Sequence, residues 1–321
     1  MNEYIAFDSH KHYTLMERED VITGRTRQRR IEHRRGAIRA ALRTAEPGTP
    51  VAVESIGSWY WIIDEIEEAG LEPRLVHPRK AKVMMGCINK TDKLDVHGLN
   101  RLQRNGTLPT VWIPPCDVRD LREMTRTRMV FTQQRTRFKN RILATLTKHA
   151  FTLRGYSDAF GKTARIALEK CVDQLPPHAR AMTRLLLEHV DSTEEQIVTI
   201  EKQLKELVPV TDAIRWLMTL PGVAIILGAT IAFEVGDITR FPDSQHLASY
   251  AGAVPRVHGS GGKTRYGRTR PDVNRTLKWA FCEAANSVKL NHTRRPKRHV
   301  SQLYNRTLKS MSASSGSGTP R

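Results

Sequence analysis

Apolar residues follow two rhythms along this chain. Up to about residue 80 they fall in short runs closed by an acid or a proline. Tyr4-Ile5-Ala6-Phe7 ends at Asp8, Val51-Ala52-Val53 ends at Glu54, and Leu75-Val76-His77 runs into Pro78. Runs of that length and punctuation predict buried strands over 4–8, 51–54 and 74–78. Helices are predicted between them, over 35–44 and over 59–69, the second stopped by Gly70. Trp59, Tyr60 and Trp61 read as packing of that helix against a sheet. Arg25 to Arg35 is dense in arginine and reads as a solvated edge strand. Strands alternating with helices predict an α/β sheet with acids at its strand ends.

From Asp117 the rhythm lengthens. An Arg-rich helix is predicted over 117–150, with Leu121, Met124, Phe131, Phe138, Ile142 and Leu146 as a broken apolar stripe. A second long helix is predicted over 179–207, closed by Pro209. Its positions Leu186, Val190, Thr193, Ile197, Ile200, Leu204 and Leu207 alternate spacings of four and three, the coiled-coil pattern. The two helices pair within one chain as an antiparallel hairpin, or they meet a partner's; the pattern fits both. Either way they read as a spacer between two functional ends. Beyond them Leu220-Pro221-Gly222-Val223-Ala224 opens a further apolar helix, and Gly252 to Gly267 is rich in glycine and positive charge. Residues 307–321 end in a Ser/Gly-rich stretch that reads as a disordered tail.

Charge changes the picture. The chain has 321 residues, and Lys and Arg outnumber Asp and Glu by 52 to 33, a formal net charge of +19. Such an excess points to a polyanion, bound through salt-sensitive phosphate contacts. The four cysteines, Cys87, Cys116, Cys171 and Cys282, form no CxxC pair, which argues against a zinc knuckle or a disulfide framework. No apolar stretch approaches the roughly 20 residues of a membrane span, and Met1-Asn2-Glu3-Tyr4 does not open a signal peptide. An intracellular, cytoplasmic protein is expected.

Against that basic background the acids stand out. Asn89-Lys90-Thr91-Asp92-Lys93-Leu94-Asp95 sets two carboxylates three residues apart, on one face if helical. With Asp8 and Glu54 they could converge on a divalent cation, the apparatus of phosphodiester chemistry. The plainer reading makes Asp92 a helix cap, Asp95 a surface acid and Glu54 an ion-pair partner, and spacing leaves both open. Nearby His10, His12, His77 and His97 have no zinc-motif spacing; one of them could ligate a metal, but they read rather as surface or phosphate-contacting residues. Gly259-Ser260-Gly261-Gly262 frees the backbone around a hydroxyl, with Arg256, Lys263, Arg265 and Arg268 about it. Such a serine can attack phosphorus while cations stabilise the developing charge; composition alone favours a flexible loop that binds phosphate passively. A hydrolase nucleophile elbow is excluded, since His258 stands where that motif needs glycine. The turn at Gly222 resembles a helix–hairpin–helix phosphate site, though a plain helix cap explains that motif as well.

Taken in order, Ala6-Phe7-Asp8, Glu54 with Gly57, His77-Pro78, Asn89 to Asp95, Leu220-Pro221-Gly222-Val223 and Leu247 to Ser260-Gly261 resemble the insertion sequence 110 family of transposases, the DEDD serine recombinases of bacterial mobile elements. That resemblance implies a RuvC-like, RNase H-like N-terminal domain over 1–115, a long-helix coiled-coil middle over 116–209, and a mostly helical C-terminal transposase domain over 210–306. It implies that Asp8, Glu54, Asp92 and Asp95 bind Mg2+. It implies also that Ser260 forms a covalent phosphoserine with DNA, and that Gly222, Arg256, Lys263, Arg265 and Arg268 contact nucleic acid. Donor and target DNA, a structured non-coding bridge RNA as guide, and further copies of the chain in a dimer or tetramer are the implied partners. Two departures from the family's pattern are Ala224, where a second glycine is common, and the tail after Arg306, where members continue into a basic helix. The tail suggests a truncated copy. The competing readings are therefore a nucleic-acid-binding element product without catalysis and a Holliday-junction-type nuclease that uses the acids alone.

Overall fold

The structure is a computed structural model and describes residues 2–86 and 91–315. Asn89 and Lys90 of the acidic motif, Cys87 and the end of the expected tail lie outside the described residues. The chain divides into two compact units, Met1–Ile113 and Pro114–Arg321.

In the first unit the strands are β1 (Glu3–Ser9), β2 (Tyr13–Asp20) and β3 (Thr26–Glu32). There follow α1 (Ala37–Leu42), β4 (Pro50–Glu54), α2 (Trp59–Glu68), β5 (Glu72–Val76), α3 (Pro78–Met85) and α4 (Asp92–Arg104). They form one sheet in the order β3-β2-β1-β4-β5. The first three strands are antiparallel neighbours, while β4 and β5 run parallel to β1. Side chains alternate between the faces of a strand. Ile5, Phe7, Val51 and Val53 therefore fill one core with Ile38, Ile62 and Ile66 of α1 and α2, and Trp59 and Trp61 lie against it. Ala6 and Ala52 face the other way, toward Val96 and Leu99 of α4.

Two strands depart from the sequence reading. The third stops at Val76, because His77 caps α3, accepting from Lys80 N at 3.4 Å, and Pro78 takes the first helical position. Sequence periodicity misses β2 altogether: Glu17 and Glu19 point inward, at 0% and 2% exposure. Their partners come from some 80 residues further on. Glu17 Oε1 accepts from Asn100 at 3.1 Å and stands 3.0 Å from His97 Nδ1, and Glu19 receives Arg104 at 2.5 Å. A third buried acid, Glu65, replaces a capping side chain for α1, accepting backbone N–H bonds from Gly36, Ile38 and Arg39. β3 is the expected edge strand, exposed along all but Ile31.

The second unit holds α5 (Cys116–Lys148), α6 (Lys162–Asp173), α7 (Pro177–Leu207), α8 (Asp212–Met218), α9 (Ile225–Val235), α10 (Ser244–Tyr250), β6 (Pro255–Ser260), β7 (Lys263–Thr269), α11 (Arg275–Asn291) and α12 (His299–Ser315). α5 and α7 pair within the chain as an antiparallel hairpin. Arg128 meets Glu201 at 2.6 Å, Arg135 meets Glu194, and the Phe138 and His189 rings stack at 5.4 Å. The α7 seam runs through Thr183, Leu187, Val190, Thr193, Ile197 and Leu204, and Leu207 of the expected stripe is 61% exposed.

The hairpin is no isolated spacer, because α5 also carries buried charge toward the C-terminal helices. Glu234 of α9, 0% exposed, accepts from Arg122 at 2.5 Å, Arg126 at 2.7 Å and Asn274 at 2.7 Å. Burial raises the pKa of Glu234, but the Arg126 hydrogen bond and the two guanidinium charges outweigh it and hold the carboxyl below its usual range. The middle and the C-terminal part thus form one compact unit. α12 continues through Ser315, so residues 307–315 extend a helix where composition suggested a tail.

Gly222 sits at φ +81° between α8 and α9, and a Cβ there would lie 2.2 Å from Ser287 Cβ of α11. Close packing against α11 requires this glycine, whatever its role toward phosphate. Gly222→Ala should cost at least about 1–2 kcal/mol from the left-handed backbone alone. A thermal melt checks this, and a Tm equal to wild type with weakened DNA binding would favour the phosphate reading instead. Glu234→Ala should cost about 3–5 kcal/mol, since buried guanidinium charge loses its counter-ion. A lowered folded pKa means that the carboxylate contribution is full above the usual carboxylate range and lost as pH falls through the lowered value. The stability gap between wild type and Glu234→Gln should therefore close in acid, as read by urea denaturation.

Candidate metal centre and serine hairpin

The acids gather because strand period and helix start coincide. β1 and β4 are in register at Phe7 and Val53. The next residues, Asp8 and Glu54, thus continue the Ala6/Ala52 row on the α4 face, side by side at the ends of adjacent strands. α4 begins where its face meets that row. Thr91 is the N-cap, accepting from Leu94 N at 3.3 Å, so Asp92 is the first helical residue and Asp95 follows one turn on. A helix N-terminus favours carboxylates.

Asp8 is 7% exposed, and its Oδ2 stands 3.3 Å from His10 Nε2, which stands 3.2 Å from Asp92 Oδ2. Asp8 Oδ2 and His10 Nε2 are both buried atoms without a hydrogen bond of proper geometry. Asp8, His10 and Asp92 each offer one donor atom to a common point. Tyr13 donates its hydroxyl to Asp92 Oδ2 at 2.8 Å, and the Arg30 guanidinium lies 3.7 Å from the Tyr13 ring centroid. Burial pushes the Asp8 carboxyl up; His10 counters this, while the Asp92 and Asp95 charges add to it. The Tyr13 hydrogen bond holds Asp92 below its usual range, and the same bond raises the Tyr13 phenol. A buried carboxylate oxygen facing a second carboxylate is a demand for positive charge, and the donor set fits a divalent cation.

Of the expected acids, Asp8 and Asp92 converge directly, Asp95 is close enough to act on Asp8 electrostatically, and half-buried Glu54 ends the adjacent strand on the same face. Asp92 is no helix cap. His10 is placed at the centre of the cluster, not on the outer surface as its sequence context suggested. Tyr13 was not singled out by sequence at all. The only signal for either was proximity: the turn from β1 to β2 returns Tyr13 beside Asp8, with His10 N donating to Tyr13 O at 2.8 Å.

Ser260 lies in the second unit, on a hairpin. β6 and β7 pair from Pro255↔Thr269 to Ser260↔Lys263. Gly261 and Gly262, at φ +56° and +75°, supply the two positive-φ residues of a tight hairpin turn. The expected flexible loop is thus a strand pair turned by glycine. Ser260 and Lys263 share a face with the next pair, His258 and Arg265, and these four line a surface concavity of about 660 Å3 with Val257 and Gly259. Arg256 is half-buried at the bulge near the base, and its Cβ lies 3.6 Å from where a Cβ on Gly267 would stand. Arg268 is exposed on β7. Ser260 is therefore an exposed hydroxyl beside two cations, an arrangement suited to phosphate.

Among the described residues no helix is long and apolar enough to cross a membrane. Residues 5–151 match the family profile of DEDD-type IS110 transposases. Residues 214–301 match that of the transposase IS116/IS110/IS902 family. A probable family 20 transposase of Pseudomonas aeruginosa is 25% identical over 75% of this chain and 72% of its own length. The transposase for insertion sequence element IS1328 of Yersinia enterocolitica is 25% identical over 68% of this chain, which spans 64% of that relative. A mini-circle putative transposase for IS117 of Streptomyces coelicolor reaches 38% identity over 26% of this chain and 22% of its own. One profile covers the acids and the other the serine hairpin: this chain belongs to the IS110 family of transposases.

Proposed function

We propose that this protein is a DNA transposase or recombinase of a bacterial insertion sequence, cutting and rejoining strands through an acid-held magnesium site and a serine nucleophile. The convergence of Asp8 Oδ2, buried without a hydrogen bond, with Asp92 Oδ2 across His10 carries this reading. The strand order, with three parallel strands joined to an antiparallel edge, supports an RNase H-like first unit. Asp8, Glu54, Asp92 and Asp95 would hold magnesium, which when bound supplies charge neutralisation for a phosphodiester.

The chain's own groups account for the rest. Lys263 and Arg265, on the Ser260 face, stabilise negative charge developing on the phosphoryl oxygens. Ser260 Oγ bonds to phosphorus as the bond to one strand's oxygen breaks, and the serine proton ends on that released oxygen. A hydroxyl of a second strand then displaces Oγ from phosphorus and returns the proton to it, so rejoining needs no external energy. The acids and Ser260 stand in different compact units, and the family resemblance supplies a homo-oligomer in which one copy's acids serve another's serine. Duplex donor and target, with a structured non-coding guide RNA, suit the charge of +19.

Ser260→Ala should abolish covalent protein–DNA adducts on denaturing gels while changing DNA affinity by less than about threefold. Adducts persisting in that variant would remove Ser260 from the chemistry, and cleavage without any adduct in the wild type would favour a nuclease acting through the acids alone. Asp92→Asn should lower metal-dependent cleavage by at least about a hundredfold; cleavage at the wild-type rate and metal dependence would sink the acid site.

A further inference from the structure

We propose that His10 is itself a ligand of the cation site, and that its nitrogen strengthens the site's hold on manganese more than its hold on magnesium. This rests on the reading of Asp8 and Asp92 as metal ligands and adds to it a donor outside the four acids. His10 follows directly on β1, in the turn closed by its N–H bond to Tyr13 O. Its ring lies 4.7 Å from the Tyr13 ring, tilted 35°. Tyr13 is in turn fixed by its hydroxyl on Asp92 and by the Arg30 guanidinium over its ring, 3.7 Å from the centroid. The imidazole is therefore held in place by a support that reaches the acids as well, the arrangement by which outer groups orient metal ligands.

The spacing of the donors is what a cation needs. Ligands at right angles around an ion with bonds of about 2.1–2.2 Å are separated by about 3.0–3.1 Å. His10 Nε2 stands 3.3 Å from Asp8 Oδ2 and 3.2 Å from Asp92 Oδ2. His10 Nε2 and Asp8 Oδ2 are buried atoms that meet at ion-pair distance without good hydrogen-bond geometry, so a cation can take the place of the Nε2 proton between the imidazole and the two carboxylates.

Donor chemistry sets the preference. Magnesium is a hard ion that favours oxygen and keeps its waters, whereas imidazole suits first-row transition ions. Two carboxylates and one imidazole form a mixed set that the oxygen-tolerant manganese ion fits. Mn2+ bound to the full-length wild-type protein should show electron-spin-echo modulation from a directly coordinated 14N nucleus, lost in His10→Ala and in His10→Gln. By calorimetry, both substitutions should weaken Mn2+ by about tenfold and change Mg2+ by less than threefold. Absence of 14N modulation in the wild type, or equal losses for the two ions, would overturn the assignment of His10. In either case Asp8→Asn or Asp92→Asn would still weaken both ions, whereas unchanged affinities in those two variants would overturn the metal site itself.

Discussion

A carboxylate inside a protein must be matched by hydrogen-bond donors or by a cation, because burial penalises its charge. This fold carries several buried acids and meets that constraint in different ways. Glu17 is satisfied by Gln28, Asn100 and His97, Glu19 by Arg104, Glu65 by the backbone of α1, and Glu234 by two arginines and an asparagine. The bonds of Asn100, His97 and Arg104 seat α4 on β2, and those of Glu65 and Glu234 tie helix to helix. Asp8 differs in that its inner oxygen meets the His10 imidazole and, across it, a second carboxylate. The same constraint that builds the core thus also sets apart the point where acids of a strand and a helix converge.

The two-sidedness of the sheet places that point. Bulky residues of β1 and β4 face α1 and α2, and the small Ala6 and Ala52 face α4, which lets α4 sit close over the strand ends. Gly98 of α4 lets α3 come close as well, since a Cβ there would meet Met85 Sδ at 2.2 Å. With α4 so close, Asp92 and Asp95 reach the strand-end row from the side.

Much of this was legible in residues alone. Short apolar runs gave β1, β4 and β5, and long periodic stretches gave α5 and α7, because in those segments burial and sequence period agree; the edge strand β3 showed instead through its arginines. β2 was hidden because its inward positions include Glu17 and Glu19, whose neutralising partners on α4 no local pattern reveals. The hairpin at Ser260 was hidden by its exposure: six of the thirteen strand positions are Gly, Lys or Arg, and no apolar alternation marks them. Asp8 and Asp92 were legible as acids at a strand end and a helix start. His10 was legible only as one of four histidines near the acids, since its placement depends on the turn that follows Asp8.

The borders of the five-stranded sheet are guarded against further strands. Along β3, Arg27, Arg29 and Arg30 stand on an exposed rim, and a second copy approaching there would bring like charges together. Along β5, Leu75 O and His77 N are already bonded to Val111 N and Pro109 O, which covers the C-terminal end of that border. Edge-to-edge growth of this sheet is therefore disfavoured at both of its sides.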